Sequence, residues 1–259
     1  MDNHKEAAQS FEKLLHIMDD LRAKCPWDMK QTNESLLHLT IEEVYELSDE
    51  ILKGSAEGIK EELGDIFLHL VFYAKLGSEQ SQFDAKTVLD SLNQKLIDRH
   101  PHVYGEVEVK DEEEVKRNWE QLKLKEGRSS VLGGVPSSLP ALIKAYRIQE
   151  KVAKVGFEWK YTEEVKNKVD EEWLELQEAV QSGDSSHIEE EFGDMLFSLI
   201  NYARFIQVDP EAALARSNMK FMKRFSYIEE SAKKNQMNLQ DMSLDEMEAL
   251  WQKAKETEH

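Results

Sequence analysis

Acidic side chains recur at helical spacing in two parts of this chain of 259 residues. Residues three or four positions apart lie on one side of an α-helix, so acids at this spacing can converge on one point. Converging carboxylates repel one another unless cations lie between them, which predicts a metal site in each part. The first set is Glu42, Glu43, Glu46, Glu62 and Asp65, and the second is Glu171, Glu172, Glu175, Glu191 and Asp194.

The donor atoms in both sets indicate a hard metal ion. All the candidates are carboxylate oxygens, without a Cys or a Glu-x-x-His motif, which favours Mg²⁺ with Mn²⁺ as a substitute. Mg²⁺ usually keeps several waters and takes phosphate oxygens as further ligands, so we expect a phosphorylated substrate. His69 lies one turn after Asp65, but Ser198 takes its place in the second set, which favours a packing or hydrogen-bonding role.

The pattern Asn-x-Lys-x-x-x-Arg occurs in each half of the chain and predicts phosphate contacts. Lys and Arg four residues apart share one side of a helix, and Arg can hold a phosphate through two hydrogen bonds. Lys168, one turn before Glu172, is a further candidate, whereas Leu39 occupies the equivalent first-half position. Trp251 and Lys255 are candidates for base stacking and for a phosphate contact. The motifs comprise Asn93, Lys95 and Arg99, then Asn218, Lys220 and Arg224.

Each of these features also has an ordinary structural explanation. An isolated charged motif on a helix usually forms a solvated face, and an aromatic residue on an amphipathic helix usually packs in the core. That explanation applies to Trp27, Phe157 and Trp159, which we expect to be core residues. Repetition of the same charged residues in both halves favours the functional interpretation of the acids and bases.

Two helical hairpins must position these side chains. Apolar residues recur at three- and four-residue spacing over residues 36–52, and Gly54 is well placed to end that helix. A second helix is predicted over residues 60–76, and the short connection makes the pair antiparallel. The one candidate for a short strand or extended segment lies near Val103. The sequence therefore predicts an all-α fold.

The hairpin occurs twice because the chain contains an internal repeat. A shift of 129 positions aligns residues 42–74 with residues 171–203, and 13 of the 33 positions are identical without a gap. Further segments match in the same order: 24–32 with 154–162, 93–99 with 218–224, and 119–123 with 251–255. We predict an N-terminal helical domain over 1–126, a Gly-, Ser- and Pro-containing linker over 127–140, and a C-terminal helical domain over 141–259.

The composition restricts the possible partners and the compartment. A formal charge of -19 argues against nucleic acid or an anionic membrane as a partner, because such surfaces need clustered Lys and Arg. No apolar stretch reaches the roughly 20 residues that span a bilayer. The single Cys25 cannot form an intrachain disulfide, and the N-terminus lacks the layout of a signal peptide, so a cytoplasmic location is expected.

The combined motifs resemble the MazG nucleoside triphosphate pyrophosphohydrolases. Glu-x-x-Glu followed by Glu-x-x-Asp across a hairpin is typical of that family, as are the segments CPWD, RHPHV and GFEW that begin at Cys25, Arg99 and Gly156. The resemblance covers practically the whole chain. It implies tandem four-helix-type domains, a homodimer, and Mg²⁺-dependent conversion of NTPs and dNTPs into monophosphates and pyrophosphate.

Residue roles also follow from the resemblance, position by position. It implies that Glu172, Glu175, Glu191 and Asp194 bind metal, with Glu43, Glu46, Glu62 and Asp65 as their first-half equivalents. The nucleotide contacts expected are Lys168, Glu190, Asn218, Lys220, Arg224, Trp251, Lys255, Asn93, Lys95, Arg99 and Lys123. Leu39 departs from the second-half pattern, which puts the catalytic competence of the first site in doubt.

We expect the reaction to be attack of water on the α-phosphorus. One of Glu171, Glu172 or Glu175 would act as the general base, and spacing does not choose among them. Lys220 and Arg224 would stabilise the leaving pyrophosphate. Two alternatives stay open: a related all-α dUTPase or phosphoribosyl-ATP pyrophosphohydrolase activity, and a non-catalytic metal-binding helical regulatory module.

Overall fold

The computed structural model describes residues 3–111, 114–115 and 130–257, which form helices, turns and loops but no strand. The chain separates into two compact units, Met1–Trp119 and Glu120–His259. The predicted all-α class is confirmed. Val103 lies in a short helix that begins at a proline, a residue suited to the first helical position, so the strand hypothesis there is wrong. The predicted boundary between residues 126 and 127 lies outside the described residues.

The first unit is built around a hairpin of two long helices. Its elements are α1 (Asn3–Lys24), a 3₁₀ turn (Asp28–Lys30), α2 (Asn33–Lys53), α3 (Ala56–Glu79), α4 (Ala85–Arg99) and α5 (Pro101–Tyr104). α2 ends at Gly54, whose φ of +71° is a left-handed conformation that glycine adopts without strain. Ser55 then caps α3 by accepting a hydrogen bond from Gly58 N–H. The predicted connection at Gly54 is confirmed.

The core of the first unit lies between this hairpin and α1. It consists of Met18 from α1, Leu36 from α2, and Val71, Phe72 and Leu76 from α3, each at most 4% exposed. Burial of such apolar side chains is the main favourable term in folding. The core therefore fixes α2 against α3 and sets the positions of the acids on both helices.

The second unit repeats the hairpin and adds helices on both sides of it. Its elements are α6 (Ala141–Ala153), α7 (Thr162–Ser182), α8 (Ser185–Phe205), α9 (Pro210–Lys234), a 3₁₀ turn (Leu239–Asp241) and α10 (Leu244–Glu256). Gly183, with a φ of +74°, ends α7 as Gly54 ends α2. α6 packs against α8 and α9, and α10 packs against α9. In both hairpins, therefore, a glycine with a left-handed conformation ends the first helix.

An arginine in each unit fixes the loop that precedes the hairpin. In the first unit, Arg22 pairs with Glu79 (Nη2 to Oε2, 2.6 Å) and donates to the carbonyl of Asp28. In the second unit, Arg204 pairs with Glu158 (Nη1 to Oε2, 2.7 Å). These partly buried ion pairs hold both loops against the helices that carry the acids.

The described part of the predicted linker packs on α6. Lys151, only 5% exposed, donates from Nζ to the carbonyl of Val131 at 3.4 Å, and Lys144 donates to the carbonyl of Ser137 at 3.2 Å. A buried ammonium group needs such polar partners. Residues 130–140 therefore belong with the second unit.

Large apolar side chains lie on the surface of both hairpins. Leu37 and Leu70 in the first unit are 58% and 56% exposed, and Leu174 and Phe192 in the second are 59% and 54% exposed. None of the described helices combines the length and apolar character needed to cross a membrane. Exposed apolar groups in such number are typical of a surface that another protein covers.

Candidate active site

Three acids of the second unit converge between α7 and α8. Glu172, Glu191 and Asp194 each bring one carboxylate oxygen to within 4.8 Å of the others. Glu172 lies on α7, and the other two lie three residues apart on α8, so the antiparallel hairpin brings the three together. Glu172 is only 6% exposed. We call these three residues the second-unit cluster.

A second group of acids lies along α7 and shares Glu172 with this cluster. Oxygens of Glu171, Glu172 and Glu175 also lie within 4.8 Å of one another. Partial desolvation, and then repulsion from Glu172, raise the pKa of Glu175 above its ordinary value. The negative charge of Glu175 is therefore unfavourable where no cation balances it.

Lys168 is the cation that partly balances these acids. Its Nζ lies 2.6 Å from Glu172 Oε1 and 2.7 Å from Glu171 Oε1. Hydrogen bonds to Glu171 and Glu172 raise the pKa of Lys168 above its ordinary value. The sequence analysis placed Lys168 near the substrate but missed this pairing, although spacings of three and four residues on a helix favour it.

The first unit contains the matching cluster of three acids. Oxygens of Glu43, Glu62 and Asp65 lie within 4.8 Å of one another, and we call these residues the first-unit cluster. Desolvation, followed by repulsion from neighbouring acids that include Glu46, raises the pKa of both Glu43 and Glu62. Glu46 lies near the cluster without joining it. Among the described residues, no Lys or Arg forms an ion pair with the cluster, since Leu39 stands where Lys168 stands in the second unit.

His69 belongs to a hydrogen-bond network beside the first-unit cluster. Thr40 Oγ1 lies 3.0 Å from the Leu36 carbonyl, 2.7 Å from His69 Nδ1 and 2.8 Å from Tyr73 Oη. With its proton donated to that carbonyl, Thr40 Oγ1 accepts hydrogen bonds from the other two side chains. Burial lowers the pKa of His69, which is 7% exposed. The hydrogen-bonding role expected for this histidine agrees with the structure.

The predicted basic and aromatic residues of the second unit lie on α9 and α10. The Arg224 guanidinium lies 5.6 Å from the centre of the Trp251 ring, which also contacts Phe221 at 5.0 Å. Asn218 and Lys220 are exposed on α9. A cavity of about 380 Å³ between α9 and α10 is lined in part by Arg224. The association of Lys220 and Arg224 with a triphosphate stays a prediction.

The remaining candidates fall in several places. In the first unit, Asn93 and Lys95 are exposed on α4, and Arg99 is half-buried at the end of that helix. In the second unit, Glu190 is exposed on α8, and Lys255 donates a hydrogen bond to Gln252 Oε1 at 3.3 Å. Lys123 lies outside the described residues. Trp27, Phe157 and Trp159, expected in the core, are 55%, 80% and 47% exposed. They occupy the loops before the hairpins, where the arginine pairs hold the backbone and the rings extend into solvent.

Comparison with known proteins identifies the repeated hairpin. A sequence model of the MazG nucleotide pyrophosphohydrolase domain matches residues 31–104 and again residues 161–228. The chain belongs to the MazG family. Each MazG match contains one acid cluster, whereas the loops that carry Trp27 and Phe157 lie outside the matches, as does α10. The resemblance inferred from the motifs, and the tandem arrangement, are confirmed.

Relatives of this MazG chain include proteins that match it from end to end. The chain is 43% identical over 256 residues to a Thermotoga maritima protein named nucleoside triphosphate pyrophosphohydrolase/pyrophosphatase MazG, covering 97% of this chain and 98% of that protein. It is 36% identical over 259 residues to the Escherichia coli K12 nucleoside triphosphate pyrophosphohydrolase, covering 96% and 98%. The uncharacterised protein YabN of Bacillus subtilis is 44% identical over 254 residues, which cover 96% of this chain and 52% of YabN.

Proposed function

We propose that this protein is a Mg²⁺-dependent nucleoside triphosphate pyrophosphohydrolase that converts NTPs and dNTPs into monophosphates and pyrophosphate. The observation that carries the proposal is the convergence of Glu172, Glu191 and Asp194 within 4.8 Å, in a hairpin that the MazG family match includes. Membership of a hydrolase family and the names of the full-length relatives support the same activity.

The donor set of the second unit suits a hard divalent cation. We assign Glu172, Glu191 and Asp194 as the residues that would bind Mg²⁺ directly, with Mn²⁺ as a substitute, and Glu175, which lies beside Glu172, as the acid that would hold a water of the metal. Desolvation and then repulsion from Glu172 raise the pKa of Glu175, and a divalent cation nearby would favour its ionised form. When bound, Mg²⁺ neutralises charge on phosphate oxygens and lowers the pKa of a bound water.

The surroundings of the three candidate bases favour Glu175 as the group that takes the proton of the attacking water. Glu171 is paired with Lys168 at 2.7 Å, so the ammonium group already occupies one of its carboxylate oxygens. Glu172 is buried and belongs to both acid groups, which suits a ligand. Glu175 is exposed, and among the described residues no Lys or Arg forms an ion pair with it, so it is accessible to a water and can take its proton.

Basic and aromatic side chains of the second unit complete the proposed nucleotide site. Lys220 and Arg224 would stabilise charge on the leaving pyrophosphate, because ammonium and guanidinium groups donate hydrogen bonds to phosphate oxygens. Trp251 offers an aromatic face for a base. The first unit has Leu39 where the second has Lys168, so we assign turnover to the second unit and cation binding alone to Glu43, Glu46, Glu62 and Asp65.

We also propose that the protein acts as a homodimer. The exposed apolar side chains of both hairpins support this, because a second copy would remove them from water. They lie on the same helices that carry the acids. Association of two copies would therefore also exclude water from the neighbourhood of the sites.

Product analysis in isotopic water tests the activity and the bond that breaks. The full chain is incubated with separate NTPs and dNTPs, with and without Mg²⁺, in water enriched in oxygen-18. We expect monophosphate and pyrophosphate, with the label in the monophosphate, because water attacks the α-phosphorus. Diphosphate with phosphate, or label in the pyrophosphate, would contradict the assignment. Mg²⁺ binding without any product would favour the non-catalytic alternative.

A further inference from the structure

Lys168 pairs with the second-unit cluster, whereas no Lys or Arg of the described residues forms an ion pair with the first-unit cluster. Lys168 Nζ lies 2.6 Å from Glu172, the buried acid of the second-unit cluster. Leu39 occupies the equivalent place and packs against the core of the first unit. The duplicated hairpins thus present the same acids with and without a lysine.

A lysine in this position competes with a metal ion for the same carboxylate group. Glu172 Oε1 accepts the hydrogen bond from Lys168. A divalent cation bound to the same carboxylate would be repelled by the nearby ammonium group, so each cation would weaken the binding of the other. Lys168 is also 37% exposed at its side chain, so it can leave the acid without disrupting the core. A triphosphate offers the departing ammonium group new negative oxygens.

We propose that Lys168 is a displaceable counter-cation that makes metal binding by the second unit depend on nucleotide, whereas the first unit binds metal without nucleotide. In the nucleotide-free protein, Lys168 stays on Glu171 and Glu172 and weakens metal uptake. A triphosphate draws Lys168 onto its phosphates and frees Glu172 for the metal. The proposal rests on the proposed function, since it assumes that the two clusters hold divalent cations.

The sign of the surrounding charge supports this difference between the units. In the second unit, Lys168 Nζ lies 2.6 Å from Glu172 and 2.7 Å from Glu171. Among the described residues, no Lys or Arg forms an ion pair with Glu43, Glu62 or Asp65, the acids of the first-unit cluster. The first-unit cluster therefore has the greater unbalanced negative charge in the absence of nucleotide, and attracts a cation more strongly.

Calorimetric titration of the full chain with Mn²⁺ tests the proposal, with one cluster silenced at a time. Asp65→Asn leaves the second-unit cluster to bind, and Asp194→Asn leaves the first. Without nucleotide, we expect Asp194→Asn to bind Mn²⁺ more tightly than Asp65→Asn. Adding Lys168→Met to Asp65→Asn is expected to raise the Mn²⁺ affinity about tenfold, because the competing charge is removed. An α,β-methylene triphosphate should recruit Mn²⁺ to Asp65→Asn and leave the affinity of Asp194→Asn unchanged.

Lys166→Met in the Asp65→Asn background is the matched control. Lys166 lies on the same helix, but its partners are Glu163 and Asp170 at 3.8 Å, so we expect the Mn²⁺ affinity to stay unchanged. Equal affinities with and without Lys168→Met would overturn the counter-cation proposal and leave the hydrolase assignment intact. Absence of Mn²⁺ uptake by Asp65→Asn, even with the triphosphate analogue, would overturn both.

Discussion

Glu172 belongs both to the second-unit cluster and to the group of acids along α7, Glu171, Glu172 and Glu175. We expect Glu172→Gln to lower Mg²⁺-dependent turnover at least about 100-fold, since loss of a direct ligand should exceed the loss caused by changing an outer partner. The equivalent change in the first unit, Glu43→Gln, should leave turnover within about twofold, because that unit has Leu39 in place of Lys168. Steady-state kinetics with a dNTP would measure both.

A control acid on the same helix separates charge from position. Glu178 is exposed on α7 and lies outside both acid groups, so Glu178→Gln should keep full turnover. Equal losses in Glu172→Gln and Glu43→Gln would show that both units turn over, and would contradict the assignment of turnover to the second unit.

The positions of the acids could be predicted from the sequence, but the contacts of the basic residues could not. Glu191 and Asp194 are three residues apart on a helix, so local geometry alone sets their direction. Arg22 and Glu79 are 57 residues apart, and their pairing depends on how α1 packs against α3. Trp159 is an aromatic residue of the kind usually found in a core, yet it is exposed because it lies in a loop that the pair between Arg204 and Glu158 holds in place.

Replacing a glycine by alanine should have opposite effects on stability at two positions of the second hairpin, Gly183 and Gly193. Gly183 ends α7 with a positive φ, so Gly183→Ala is expected to destabilise the unit by about 1 kcal/mol. Gly193 lies within α8, and a Cβ added there meets no atom within 4 Å. Gly193→Ala should therefore stabilise the unit by about 0.5–1 kcal/mol. Calorimetric melting of both variants measures the signs, and a lower melting temperature for Gly193→Ala would contradict the open surroundings described here.

The ion pair between Arg22 and Glu79 should make the first unit sensitive to acid. The hydrogen bond from Arg22 lowers the pKa of Glu79 below its ordinary value in the folded protein. Its contribution to stability is therefore fully present above the unfolded-state pKa of about 4.3 and is lost as the pH falls through the lower folded-state pKa. Glu79→Gln should reduce the acid-dependent loss of stability, measured by urea unfolding between neutral and acidic pH. An unchanged pH profile would show that this pair contributes little.

The exposed apolar side chains of both hairpins predict self-association of the protein. Leu174→Lys should cost little stability in a single copy, because Leu174 is 59% exposed, but should shift a dimer towards monomer. Val103→Lys is the control, since Val103 is 62% exposed but lies outside both hairpins. Analytical ultracentrifugation across a range of concentrations measures the shift. A wild-type chain that stays monomeric at all concentrations would refute the dimer.

The organisation of the chain as a tandem repeat could be predicted because 13 identities recur at one offset of 129 positions over residues 42–74, with further matching segments in the same order. Association with a second copy could only be inferred, since the spacing of apolar residues on a helix is the same whether they face the core of their own chain or another chain. Leu36 and Leu37 are neighbours in sequence, and the first is 1% exposed while the second is 58% exposed. Only the packing of α2 against α3 distinguishes them.

The arginine pairs that hold the two loops have a consequence for the evolution of the repeat. Arg22 relies on Glu79, and the position 129 residues beyond Glu79 is Val208. A gene in which recombination joined the first loop to the second hairpin would encode Arg22 without its carboxylate, in a site where its side chain is 12% exposed. Loss of one partner from a partly buried ion pair costs stability, so we expect each loop to pack best on the hairpin of its own half.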